Sequence, residues 1–329
     1  MWIQNEAEFY KMMALWVFEA GWISARLWEL YVRWDWNPKN GLDDFICRLT
    51  QSEQAMNLIN NHPANQAYDW LKRLKKRKPQ DVGEHYNIPV EMYKTMLGKS
   101  MKYTAPEWNP ELWDFDLDSH QKLAIEMICQ RAELEVSNRW EEHMKVLEVG
   151  FGYGTLANHA ISNYGVHLTG LTISDGQKNF AEDYMKHNGT LENSDLRNLD
   201  WKEIMQTPEH KEEFQWKFDR IISIEMIEAV STSDLPLFFE FLFHCLNDDG
   251  ILFIQAINSD RFYHTTEWFI DRYIFADGVV PQDANLLICA ERAWFEQETH
   301  DRDIVTQAYD KALLAWQQNL SEGYDSLRD

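Results

Sequence analysis

Residues 146 to 154 read Val-Leu-Glu-Val-Gly-Phe-Gly-Tyr-Gly, an apolar run that ends in glycine at every second position. The helical stretch Thr155 to Ser162 follows at once, so the segment predicts a buried strand, a tight turn and a helix start. Glycine lacks a Cβ, which lets the backbone at Gly150 and Gly152 approach a ligand, while the helix N-terminus offers free N–H groups. The spacing is G-x-G-x-G, closing at Gly154, with Glu148 two residues ahead of the first glycine. Dinucleotide folds carry G-x-G-x-x-G and wrap a pyrophosphate. This spacing, preceded by a carboxylate, favours S-adenosyl-L-methionine over NAD: that ligand has no pyrophosphate, so the turn need only pass the amino acid and the cationic sulfonium.

The rest of the C-terminal half repeats the pattern. Short apolar runs at Val166 to Ile173, Phe218 to Ile224 and Gly250 to Ile257 alternate with helical stretches, the last entered through a turn at Asn247-Asp248-Asp249-Gly250. The predicted fold is α/β, a doubly wound and mostly parallel sheet. Ahead of it, Trp16, Ala20, Ile23, Leu27, Leu30 and Trp34 recur at helical spacing. The predicted organisation is a helical N-terminal region over 1–80, a cofactor-covering segment over 81–140 and the cofactor-binding core over 141–329.

Ligands of open α/β sheets bind at the C-terminal ends of the strands. Thr172, Ser174 and Gln177 stand after the second strand and offer hydroxyl and amide groups for the ribose hydroxyls. Asp195, followed by Leu196 and Arg197, is expected at the end of the third strand, where it can accept from the adenine amino group. Glu225 and Glu228, in Glu-Met-Ile-Glu after the fourth strand, face the expected place of a methyl acceptor.

Composition narrows the partners. The formal net charge of -23 argues against nucleic acid. A local basic run, Lys72, Arg73, Lys75, Lys76, Arg77 and Lys78, reads either as a solvated helix end or as a dock for anionic lipid headgroups and acyl-carrier surfaces. Cys47, Cys129, Cys245 and Cys289 form no CxxC pair, so neither a metal site nor a disulfide scaffold is expected. Lys11, Glu19, Arg26 and Glu29 break the apolar N-terminus short of the roughly 18 residues of a membrane span. Nor does it read as a secretory signal. The expected location is cytoplasmic, with peripheral membrane contact as an option for the tryptophan-rich N-terminus.

Several separate motifs resemble the cyclopropane fatty acid synthases and their relatives, over roughly residues 84 to 318. They are His85-Tyr86-Asn87-Ile88 with Tyr93 and Leu97-Gly98; Gly165 to Ser174 with Gln177; Asp195-Leu196-Arg197; Asp271 to Phe275 with Gly278 and Pro281; and Tyr309 seven residues ahead of Trp316. Met101-Lys102-Tyr103-Thr104-Ala105 resembles the family's Tyr-Ser-Cys segment, which places Tyr103 and Thr104 over the cofactor. The resemblance implies methyl transfer from S-adenosylmethionine to an alkene, with bicarbonate as the base that removes a proton. Glu228 and Tyr309 match two residues that hold bicarbonate in the family.

This chain departs from that pattern at Ala105, where the family has cysteine, at Ala229, where histidine is common, and at Gln255, which replaces a bicarbonate-holding histidine. The Glu-Met-Ile-Glu-Ala-Val and Ile-Gln-Ala-Ile forms resemble a branch with plant enzymes and bacterial relatives. Family members also continue beyond the tyrosine element, whereas this sequence stops at Asp329. The N-terminal region, a second copy or a partner subunit is expected to complete that wall, unless the pocket is more open. Three functions follow: methylation of carbon in an unsaturated fatty acyl chain, as a branch or a cyclopropane; methylation of a small amine or other metabolite; or a non-catalytic cofactor-binding subunit.

Overall fold

In a computed structural model of the chain, the residues described are 89–107, 115–136, 143–259, 275, 278–299, 306–323 and 327. The amphipathic segment at 16–34, the basic run at 72–78, the His85 motif and Asp271 to Ile274 lie outside them. The chain divides into two compact units, Met1–Arg77 with Tyr263–Val280 and Lys78–Phe262 with Pro281–Asp329. Everything below concerns the second.

Its centre is a five-stranded sheet in the order β3-β2-β1-β4-β5, formed by β1 (Lys145–Val149), β2 (His167–Thr172), β3 (Ser194–Asn198), β4 (Phe218–Ile224) and β5 (Leu246–Gln255). Every pairing is parallel. The predicted doubly wound α/β fold is therefore borne out. Strand order reverses at β1, with β2 on one side and β4 on the other, so the crevice where a ligand binds opens at the C-terminal ends of β1 and β4.

Strand periodicity sorts side chains to the two faces. Val146, Leu168 and Ile222 pack with Ile125, Ile128, Leu156, Ala160 and Met185. These come from the helices α2 (Leu117–Arg131), α3 (Thr155–Tyr164) and α4 (Asp175–Asn188), which follow α1 (Val90–Leu97). Leu147, Leu171 and Ile221 point the other way, into Trp201, Ile204, Phe214, Phe238 and Phe241. Those residues belong to α5 (Trp201–Gln206), α6 (Pro208–Phe214) and α7 (Leu235–Cys245), and α8 (Asp283–Arg292) packs against the same cluster. Trp201 is a core residue, 5.1 Å from the Phe238 ring.

Strand β5 begins four residues earlier than the apolar run suggests. Leu246 already pairs with Phe218, and pairing resumes only at Ile251 opposite Arg220. The Asn247 to Gly250 turn is therefore a bulge within the strand rather than its entrance.

A third cluster caps the strand ends. Tyr93, Leu97 and Met101 pack with Tyr153 of the glycine turn and with Ala312 and Trp316 of α9 (Thr306–Gly323). The Asn319 amide donates to the Met96 carbonyl at 2.9 Å, which fixes α9 against α1.

Candidate active site

The glycine turn folds back on β2, since the Gly150 N–H donates to the Leu171 carbonyl at 2.9 Å. Gly150 and Gly152 take φ of +87° and +55°, a region costly for residues with a Cβ. Their surroundings differ. A Cβ on Gly150 would fall 2.8 Å from Met226 Cγ, so this glycine serves the close approach of the β4 end as well as a ligand. A Cβ on Gly152 would meet no atom within 4 Å, so it borders open space. Gly154 lets α3 pack on α4, because a Cβ there would lie 2.8 Å from that of Ala181.

Glu148 is 3% exposed, and its Oε2 has no hydrogen-bond partner. Burial pushes its carboxyl well above the usual range, and the Lys102 ammonium draws it back. An orphaned buried acceptor beside an open glycine fits a ligand that brings its own donors and positive charge. The buried acceptor and the open turn therefore fit S-adenosylmethionine.

Residues 101–107 lie over these strand ends. The Gln121 amide donates to the Thr104 carbonyl at 2.8 Å, and Arg131 pairs with Glu107 at 3.2 Å. Tyr103 sits edge-on to Tyr93 at 5.8 Å and 5.4 Å from the Trp316 ring. The Lys102 ammonium, buried under this segment, donates to Thr104 Oγ1 at 2.8 Å. Desolvation lowers Lys102 to about 8, against the raising influence of Glu225, Glu148 and Glu107.

At the end of β4, Glu225 adopts φ of +48°, and its N–H donates to the Gln255 carbonyl at 2.8 Å. The Gln255 amide donates back to Glu225 Oε1 at 3.0 Å and reaches Thr104 Oγ1 at 3.4 Å. Three residues on, Glu228 Oε1 accepts from the Ile257 N–H at 2.5 Å. Burial and the neighbouring Glu225 push the Glu228 carboxyl up to about 8. On α9, the Tyr309 hydroxyl is raised to about 12 by burial and by both glutamates. The fold thus brings Glu148, Glu225, Glu228, Gln255, Tyr309, Tyr103 and Thr104 to one crevice, together with Lys102, which the sequence reading passed over. A lysine beside two matched residues of the covering motif was the available signal.

The β2–β3 side is arranged differently. Ser174 caps α4, accepting from the Gln177 N–H at 3.3 Å, and Thr172 Oγ1 donates to Gln177 Oε1 at 2.8 Å. These groups meet as expected, but partly satisfy one another. Asp195 does not end the third strand. It is the second residue of β3, and its carboxylate accepts from Arg197 at 2.6 Å, which also pairs with Glu213. Leu196 is a buried core residue. Asp195 lies on the edge strand of the sheet, and the strand runs on to Asn198, two residues beyond its one apolar side chain, Leu196. The polar groups at the C-terminal end are Asn198, whose amide donates to Asp175 Oδ1 at 2.5 Å, and Asp200, the N-cap of α5. No group of metal-binding side chains occurs among the described residues.

Residues 73–329 match the model of the mycolic acid cyclopropane synthetase family. The chain belongs to that family. It is 27% identical over 258 residues to the cyclopropane-fatty-acyl-phospholipid synthase of Escherichia coli K12, covering 77% of this chain and 60% of that protein. It is 28% identical over 257 residues to a sphingolipid C9-methyltransferase of Komagataella phaffii, covering 75% of this chain and 50% of that one. The chain thus spans between half and three fifths of the length of these relatives. Among solved structures, a cyclopropane synthase of Mycobacterium tuberculosis superposes with a TM-score of 0.64 at 22% identity, over 76% of this chain and 85% of that one. The fold is that of the class I methyltransferases.

Proposed function

We propose that this chain is an S-adenosylmethionine-dependent methyltransferase acting on carbon of an unsaturated acyl chain, lipid-borne as in its relatives. The observation that carries the reading is the unpartnered, buried Glu148 oxygen beside the open space at Gly152. The acceptor class comes from the family and from relatives named for acyl phospholipids and sphingolipids.

When bound, S-adenosylmethionine supplies an electrophilic methyl group, and its transfer to an alkene carbon leaves a cation that is quenched by loss of a proton. Glu148, neutral when alone, would ionise against the ligand's positive charge and balance it at the turn, and the glycines would admit the ligand's backbone-hugging end. Tyr103 and Thr104 close the crevice from above, excluding water from the reacting atoms. Glu228, Tyr309 and Gln255 would hold the proton acceptor, a bicarbonate, or Glu228 would itself serve once ionised. We assign that role to bicarbonate. Turnover should fall in carbonate-depleted buffer and recover on adding bicarbonate, while unchanged turnover would transfer the role to Glu228. Among the described residues no helix is long and apolar enough to cross a membrane.

The test is mass spectrometry of lipids from cells expressing the chain on isotopically labelled methionine, beside an unrelated protein. Labelled acyl chains heavier by one methylene support the proposal, and their fragmentation separates branch from ring. Label in small amines alone would replace it.

A further inference from the structure

The segment over the crevice is irregular chain with buried side chains: Met101, Lys102, Thr104 and Ala105 are all less than a tenth exposed. Buried backbone outside a helix or sheet needs hydrogen-bond partners from elsewhere. Helix α2 supplies them along its length. Asp118 Oδ1 accepts from the Ser100 N–H at 3.1 Å just ahead of the segment, and Arg131 pairs with Glu107 at 3.2 Å at its end. Between these anchors stands Gln121, completely buried, whose amide donates to the Thr104 carbonyl at 2.8 Å and reaches the Lys102 carbonyl at 3.4 Å. Carbonyls only accept, so it is the amide nitrogen that must face them. The Gln121 oxygen is left buried without a hydrogen-bond partner.

A buried amide with one open end is costly. Gln121 shares the buried face of α2 with Ala124, Ile125 and Ile128, and an apolar side chain at its position would bring no orphaned oxygen of its own. What the amide adds is a grip on two peptide planes, the one ahead of Tyr103 and the one after Thr104. Tyr103 and Thr104 are thereby held between fixed peptides. Tyr103 lies against Tyr93 and Trp316, and the Thr104 hydroxyl is 3.4 Å from the Gln255 amide at the end of β5.

We propose that Gln121 is a positioning residue: by holding the Lys102 and Thr104 carbonyls it keeps Tyr103 and Thr104 closed over the crevice, and so slows the release of a bound cofactor. The inference rests on the proposed function for the identity of what is bound; the hold on the segment stands without it. With the donor lost, the anchors at Ser100 and Glu107 remain, so the middle of the segment opens while the core stays folded. The glycine turn is untouched, so affinity falls through faster release rather than slower binding.

The experiment compares the full chain with Gln121→Met, Tyr103→Ala and the double variant. Hydrogen exchange of the ligand-free chain is followed by mass spectrometry, and association and release of S-adenosylhomocysteine by stopped flow. In Gln121→Met, peptides spanning 101–107 should exchange about tenfold faster while those of β1 keep their rate, and release should quicken about tenfold with association changed less than about twofold. A glutamine that acts through Tyr103 has little left to do once that ring is gone, so in the Tyr103→Ala background Gln121→Met should quicken release by less than about threefold. Unchanged exchange over 101–107, or the full tenfold factor retained in the Tyr103→Ala background, would overturn the proposal. Gln121→Asn, which keeps an amide but is one methylene too short to reach both carbonyls, should behave as Gln121→Met does and decides the matter if the methionine variant fails to fold. A native chain that binds no S-adenosylhomocysteine would sink the methyltransferase assignment, while the exchange comparison would still judge Gln121, so the two failures are distinguishable.

Discussion

The two sides of the strand-order reversal handle polar groups in opposite ways. Beside β2 and β3, Thr172 is matched to Gln177, Ser174 caps a helix, and Asp195 is tied to Arg197 and through it to Glu213. Beside β1 and β4, Glu148, Glu225 and Glu228 are desolvated and pushed toward their neutral forms, and burial does the same to Lys102. Groups that already satisfy one another have little left to offer a ligand, whereas desolvated ones are where local rules yield to function. On the proposed function, the crevice between β1 and β4 is accordingly where the chemistry is expected, and the β2–β3 edge contributes mainly structure.

The contrast can be broken by mutation. The largest effect is expected from Gly152→Val, which fills the open space: affinity for S-adenosylhomocysteine by calorimetry should fall at least about 100-fold, ~2.8 kcal/mol. Retained affinity would move the ligand away from the turn. Next, Glu228→Gln should cut turnover by about 100-fold or more with folding intact. It should also alter the pH dependence of melting. In the folded chain Glu228 keeps its proton up to about 8, while the unfolded residue loses it near 4.5, so this group's contribution to stability is full below 4.5 and is lost as pH rises through that window. The variant should show a flatter decline there, and an unchanged slope would mean that Glu228 is not desolvated.

Smaller effects should mark the other side. Ser174→Ala removes a cap and should cost about 1 kcal/mol in chemical denaturation. Asp195→Asn loosens a half-exposed ion pair and should change stability by less than about 1 kcal/mol, with cofactor affinity changing less than about threefold. A tenfold loss of affinity would return Asp195 to the adenine pocket and erase the contrast.

How far the sequence carried this picture depended on the kind of signal. Strands β1, β2 and β4 were legible because buried parallel strands are short apolar runs, and the glycine turn because its geometry admits few residues. The family motifs brought Glu228, Tyr309, Gln255 and Thr104 into one list, and the fold brings them to one crevice. Asp195 was misplaced because β3, Ser-Asp-Leu-Arg-Asn, is an edge strand with a single apolar residue, so its end had no apolar boundary to mark it. The bulge in β5 was read as a turn because Asn-Asp-Asp-Gly has the composition of both. Lys102 escaped notice because one lysine on a loop looks like a solvated side chain until the loop is seen to be covered.

The most direct test of the central claim is a crystal structure of the chain with S-adenosylhomocysteine. The account predicts the ligand draped over Gly152 beneath Tyr103 and Thr104, with a donor within hydrogen-bond distance of Glu148 Oε2. A ligand bound elsewhere, or a Glu148 oxygen still without a partner in the complex, would contradict it.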